Sequence, residues 1–248
     1  MIGVYDSGVG GLAVFREVRR LLPEADLVYL ADQANAPYGE RSIEEVRRFA
    51  EAAVRTLVGR GAATVVVACN TASAAALDHL RSVFTVPIVG MEPAVKPAAA
   101  ATRTGRVAVL ATPVTFQGAV FDDLVGRFAA GITVIPHPCP GWAAAVEDSW
   151  PAGAEESVAE HLGPLLADGV DTIVLACTHY SFLAGVIAAV AGPEVAVIDP
   201  TDAVARQVSR VAAPGGAGTT TYLTTGDPER LARQIARLLG ERVVAGKV

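Results

Sequence analysis

Lysine is nearly absent from this chain of 248 residues: Lys96 and Lys247 are the only two, and the other cations are arginines. Pyridoxal phosphate, the usual means of acidifying an amino acid's Cα, requires a Schiff-base lysine. Lys96 stands between Val95 and Pro97 and Lys247 is one residue from the end, so neither is a convincing anchor. Cysteine is scarce as well. The three present form no C-x-x-C pair, which argues against a disulfide framework and for reduced thiols in a cytoplasmic setting. His79, His137 and His161 have no metal-ligand spacing with the cysteines, so no metal site is expected. Long uncharged apolar runs are missing, and the N-terminus goes straight into Ile2-Gly3-Val4-Tyr5. Neither a signal peptide nor a membrane span is expected. Positive charge is also short: the net charge is −6 and the pI about 5.3, which argues against a nucleic-acid groove.

What the chain has is apolar residues in strand-sized blocks. Hydrophobic residues make up 52% and charged ones 19%, enough to build one large domain or two smaller ones. The stretch that organises the rest is Thr64-Val65-Val66-Val67-Ala68-Cys69-Asn70-Thr71-Ala72-Ser73. Its apolar, β-branched start reads as a strand buried on both faces of a parallel sheet. Its end opens an Ala-rich helical run over Ala74 to Leu80. Cys69 therefore sits at a strand's carboxyl edge, where open α/β sheets bind ligands. A helix N-terminus there offers free N–H groups to a carboxylate and is expected to lower a thiol's pKa.

The same grammar returns at Asp171-Thr172-Ile173-Val174-Leu175-Ala176-Cys177-Thr178-His179-Tyr180-Ser181, 177 − 69 = 108 residues later. That is too long for a solenoid repeat. Two similar half-molecules, each carrying one cysteine at a strand tip, are the simplest explanation. Their opening strands match too, with Asp6 63 residues before Cys69 and Thr112 65 before Cys177. Around these landmarks strands are predicted over Ile2–Tyr5, Leu27–Ala31, Val86–Gly90, Arg106–Ala111, Ile132–Ile135, Glu194–Ile198 and Thr219–Leu223. Helices are predicted over Leu12–Leu22, Ile43–Arg60, Thr115–Phe128, Gly141–Asp148 and Glu155–Ala167. Ser42 and Glu45 form a capping box, Asp227-Pro228 reads as an N-cap with Pro at the first helical position, and Pro214–Gly218 is linker-like. The alternation predicts an α/β fold: two similar domains with mostly parallel sheets facing across a central cleft.

Two cysteines facing one another suit the inversion of a stereocentre, which needs a base on one side of a carbon and an acid on the other. Each thiol needs a neighbour to take or position its proton. Asp6 could abut Cys69; His179 lies two residues after Cys177, and Glu147 is on a nearby predicted helix. The competing reading is the first turn. Gly8-x-Gly10-x-x-Ala13 follows a strand and opens a helix, and Asp32 ends the next strand, as in a dinucleotide-binding oxidoreductase. Asp6 just before that turn would put a negative charge beside a pyrophosphate. The turn is better read as letting the backbone approach a small carboxylate.

Asp6-Ser7-Gly8-x-Gly10-Gly11, Ala36-Pro37-Tyr38-Gly39-Glu40, Ala68-Cys69-Asn70-Thr71-Ala72, Cys177-Thr178-His179-Tyr180, Ile198-Asp199 and Thr224-Thr225-Gly226-Asp227 run nearly the whole length of the chain. In kind and order they resemble the glutamate racemases of the cofactor-independent aspartate/glutamate racemase superfamily. The resemblance implies Cys69 and Cys177 as catalytic acid/bases, with Asp6 assisting the first and Glu147 and His179 the second. Substrate contacts are implied at Asp6, Ser7, Tyr38, Gly39, Asn70, Thr71, Thr178 and His179. It implies no cofactor and no metal, a homodimer, glutamate as substrate and D-glutamate supply for peptidoglycan. It further implies that the C-terminal segment returns to the first domain, giving 1–93 plus 209–248 against 94–208. Ala176 and Ser181 depart from the family's usual Gly and Pro, which leaves an aspartate or other amino-acid racemase as the nearest rival.

Overall fold

The chain alternates strand and helix almost throughout, and a parallel sheet buried on both faces requires helices on both. In a computed structural model describing residues 1–117, 119–148, 154–213 and 215–248, the strands are β1 (Ile2–Asp6), β2 (Leu27–Ala31), β3 (Thr64–Val67), β4 (Ile88–Gly90), β5 (Arg106–Ala111), β6 (Thr133–Pro138), β7 (Thr172–Leu175), β8 (Ala196–Ile198), β9 (Thr220–Thr224) and β10 (Ala245–Lys247). The helices are α1 (Leu12–Leu21), α2 (Ile43–Gly59), α3 (Asn70–Val83), α4 (Val95–Ala101), α5 (Ala119–Phe128), α6 (Trp142–Asp148), α7 (Ala154–Ala167), α8 (Ala184–Ala191), α9 (Thr201–Val211) and α10 (Pro228–Leu239). Gly118, within the predicted Thr115–Phe128 helix, and Pro214, at the head of the linker-like run, lie outside the described residues.

Two parallel sheets result, ordered β10-β9-β2-β1-β3-β4 and β6-β5-β7-β8. The run β2-β1-β3-β4 of the first has the same order as β6-β5-β7-β8 of the second, so the repeat read from the cysteine strands extends to topology. Its register is also shared. Tyr5 pairs with Val67 and Leu110 with Leu175; beyond each, Ala68 N–H donates to Tyr5 O and Ala176 N–H to Leu110 O, both at 2.8 Å. Each cysteine therefore stands two residues past an equivalent pairing. That register makes Ala111 the counterpart of Asp6 and Thr112 the counterpart of Ser7, correcting the Asp6–Thr112 match drawn from spacing.

Every residue of β1, β2, β3 and β7 is buried. Burying a Val or Leu contributes about 1.5–3 kcal/mol each, so the two central strand tips are rigid platforms. The capping box holds: Glu45 N–H donates to Ser42 Oγ, and Glu45 Oε2 accepts from Ser42 N–H. Helix α9 buries Val204, Ala205 and Val208 and packs against α1, tying the chain after the second sheet onto the first.

Among the elements that differ from expectation, three do so for plain physical reasons. Strand β6 runs on through Pro136 and Pro138 because it is the edge of its sheet, where a missing N–H costs no ladder bond. Helix α4 forms around Pro97, which lies in the first turn where a proline is tolerated. Strand β10 adds a short edge beside β9, pairing Gly246 with Leu223.

Candidate active site

Helix α3 starts at Asn70, not at Ala74, which makes Cys69 its N-cap. The sulfur accepts from Ala72 N–H at 3.4 Å and stands 3.6 Å from Ser7 Oγ. After Cys177 the chain turns differently. Thr178–Leu183 is a 3-10 segment, and the Cys177 side chain makes no capping bond. Its partner is His179, whose Nδ1 lies 3.8 Å from Cys177 Sγ. The two strand tips share a plan, but their sulfurs do not share an environment.

His179 continues the relay. Its Nε2 is 2.8 Å from Glu147 Oε1, on α6. Glu147 is anchored across both halves: Oε1 accepts from Val9 N–H at 2.7 Å, and Oε2 from Gln234 Nε2 at 2.9 Å and Gln33 Nε2 at 3.3 Å. Burial opposes the carboxylate's charge, but His179 and these donors hold its pKa down at about 2. Burial likewise opposes charge on His179. Cys177 and Glu147 outweigh it and raise the imidazole's pKa well above its ordinary value.

Cys69 goes the other way. Burial, and after it the charge of Asp6, push its thiol up to about 12 in spite of Ala72 N–H and Ser7. The expectation that a helix N-terminus leaves this thiol near neutrality does not hold, because the desolvation cost exceeds what one N–H returns. Asp6 itself is fully buried, and burial raises its pKa. Its oxygens accept from Gly8 N–H at 2.9 Å and Thr178 Oγ at 3.2 Å.

Both cysteines open onto one cavity of about 260 Å³, with Ser7, Tyr38, Gly39, Asn70, Thr71, Glu147, Thr178 and His179 in its wall. Asp6 is fully buried and stands outside the residues that line it. Tyr38 lines the cavity but spends its hydroxyl elsewhere, receiving a bond from Tyr5 and donating to Asp32. Asn70 is the reverse case. Both its amide atoms are buried and unpartnered among the described residues, a cost of about 1–3 kcal/mol that a polar ligand can relieve. Sequence reasoning missed Gln33, Gln234 and Arg230, and the hydroxyl cluster that Thr112 and Thr115 make with Thr71. None carries a motif: Gln33 stands in the loop after β2, and the others are brought in by the second half or by the returning C-terminal segment.

The glycine turn has a specific cause. A β-carbon on Gly8 would collide with Glu147 Oε1, and one on Gly10 would collide with Thr178 Oγ and lie 2.6 Å from His179 Nδ1. The carboxylate this turn approaches is the protein's own Glu147. That fills the ground a pyrophosphate would need, and Asp32 is engaged by Asn35, Tyr38 and Thr225. The dinucleotide reading is set aside on these contacts. The structure also brings together what spacing did not: the donor atoms of His137, Cys139 and His161 lie within 4.8 Å of one another.

Comparison with known proteins agrees with this geometry. Residues 10–208 match the Asp/Glu/Hydantoin racemase family. A glutamate racemase of Roseiflexus sp. (strain RS-1) is 49% identical over 96% of this chain and 91% of its own length. The structure of a Thermus thermophilus glutamate racemase in complex with beta-chloro-D-alanine superposes with a TM-score of 0.84, at 38% identity over 100% of this chain and 96% of that one. That of the Escherichia coli glutamate racemase, in complex with L-glutamate and the activator UDP-MurNAc-ala, gives 0.88 at 32% identity, over 99% and 96%. A hollow reached by two thiols from two repeated sheets, and a match over most of the chain, have one reading: this protein belongs to the Asp/Glu/Hydantoin racemase family.

Proposed function

We propose that this protein interconverts L- and D-glutamate by proton transfer between Cys69 and Cys177, with no cofactor or metal in the reaction. The observation that carries the reading is the single cavity reached by both sulfurs from separate sheets. A bound amino acid spanning it presents one face of Cα to each thiol. One thiolate removes the Cα proton, the electron pair spreads into the α-carboxylate, and the opposite thiol returns a proton to the other face. The α-carboxylate is received at the N-terminus of α3, where Asn70 and Thr71 offer an unpartnered amide and a hydroxyl. Ser7, Gly39 and Thr178 complete the wall around the substrate.

The two thiols have different partners. Cys69, pushed up to about 12, rests as the acid. Cys177 is the base of the first turnover, exchanging its proton with His179 while Glu147 steadies the imidazolium. Asp6 acts on Cys69 through its charge, from behind the wall. After turnover the two sulfurs have swapped roles. The same reading takes the protein as a cytoplasmic homodimer supplying D-glutamate to peptidoglycan, with 1–93 plus 209–248 as one domain and 94–208 as the other.

The test is incubation with L-glutamate in deuterated water after dialysis against chelator. Label should wash into Cα as optical activity decays, and Cys69→Ala and Cys177→Ala should each abolish racemisation. No exchange with glutamate overturns the substrate, with label appearing in aspartate instead favouring the rival side chain. Near-full activity in either alanine variant overturns the two-thiol mechanism.

A further inference from the structure

Outside the two catalytic thiols, one group of side chains has a donor set that no step above uses. His137 and Cys139 are two residues apart on extended backbone, with Cys139 N–H still bonded to Ala111 O at 3.0 Å. Alternation along a strand turns both to the same side of the sheet. Helix α7 covers that side with Val158, Leu162 and Leu165, all buried. His161 belongs to the same helical stripe, three residues after Val158, a position where an apolar side chain would pack as well. Its Nδ1 instead lies 2.9 Å from His137 Nε2.

From this juxtaposition we propose that His137, Cys139 and His161 form a binding site for a borderline-soft transition-metal ion of the zinc class. Two imidazoles and a thiol suit such ions, and three protein ligands leave one coordination position open. The dimensions agree. Around a tetrahedral zinc with bonds of about 2.0–2.3 Å, donor atoms are about 3.3–3.7 Å apart. The imidazole pair at 2.9 Å has to open by roughly half an ångström, and the sulfur, within 4.8 Å of both, has to close by at most about 1.5 Å. Cys139 Sγ is otherwise engaged only in a long contact of 3.7 Å with His137 O among its described bonds. The surroundings are apolar and stiff: the Trp142 ring sits edge-on to His161 at 5.1 Å and to Tyr180 at 5.2 Å. Binding exchanges the thiol proton and the imidazole–imidazole hydrogen bond for metal–ligand bonds, releasing one proton to solvent.

The site borders the catalytic cavity, since Cys139 contributes to its wall and Cys139 O accepts the Tyr180 hydroxyl at 3.0 Å. The experiment must therefore separate it from the catalytic thiols. Chelator-treated full-length protein carrying Cys69→Ser and Cys177→Ser is titrated with Co²⁺ and followed by thiolate-to-cobalt charge-transfer absorption. The band should saturate at one equivalent and be displaced by Zn²⁺. Adding Cys139→Ser should remove it, and adding His161→Asn should weaken binding by at least about tenfold, since outer-shell changes alone cost 10- to 100-fold. Far-ultraviolet circular dichroism of each metal-free variant verifies its fold. Absence of the band in the Cys69→Ser/Cys177→Ser protein, or its persistence after Cys139→Ser, overturns the proposal.

Discussion

Replacing Glu147 by Gln tests the relay on the Cys177 side and changes little but charge. In the native site Oε1 accepts from Val9 N–H and faces His179, while Oε2 accepts from Gln33 and Gln234. A glutamine keeps its carbonyl at the Oε1 position, because an NH2 there would confront Val9 N–H. Its NH2 then meets two amide donors where an anion stood. The interval between about 2 and the ordinary carboxyl value of 4.5 corresponds to about 3 kcal/mol, at about 1.4 kcal/mol per pH unit. Because the folded pKa is depressed, that contribution is complete above about 4.5 and is lost as pH falls through about 2. Glu147→Gln should therefore lower unfolding free energy by about 3 kcal/mol at pH 7, and the variant's stability should depend less on pH across that acid window. His179 has the opposite sign. Its raised pKa contributes below 6.5 and fades as pH climbs through the folded value, so removing the anion moves that loss to lower pH. The assays are urea unfolding at stepped pH and polarimetric racemisation against pH, where the alkaline limb should shift downward. A variant within about 0.5 kcal/mol of the parent, with an unmoved alkaline limb, refutes the relay.

Other outcomes follow from single contacts. Gly10→Ala drives a methyl into Thr178 and His179, and should cost about 1–3 kcal/mol or more and most of the activity; a near-native melting temperature and turnover would contradict the close approach. Asn70→Ala removes a buried amide with no partner and places a better helix former at the start of α3. It should leave the empty protein at least as stable while raising KM for glutamate; unchanged KM would mean the amide does not meet substrate. NAD and NADP should leave the melting temperature unchanged, whereas a true ligand at about 100 times its Kd adds about 2.7 kcal/mol.

The half of the fold built on strands was open to reading because burial on both faces leaves an unbroken apolar signature. Leu27–Ala31 and Arg106–Ala111 are where that signature put them. Edges were harder. The prolines that seemed to end β6 after Ile135 are harmless on an outer strand, and no sequence pattern announces an outer strand before the order of the sheet is known. The candidate site divides in the same way. Cys69, Cys177 and His179 sit in local motifs, whereas Gln234 reaches Glu147 from 87 residues away and from a different helix. Asp6 was legible as a strand-tip residue, but its partners were not, since Thr178 comes to it from 172 residues away.

The bond from Val9 to Glu147 joins a main-chain donor just past the end of β1 to a carboxylate on α6. Gln33 and Gln234 clamp the same carboxylate from the first sheet's side. A movement that drew Val9, Gln33 and Gln234 away from Glu147 would strip that carboxylate of its donors and loosen its hold on the imidazole, so the charge balance at His179 rests on contact between the two halves.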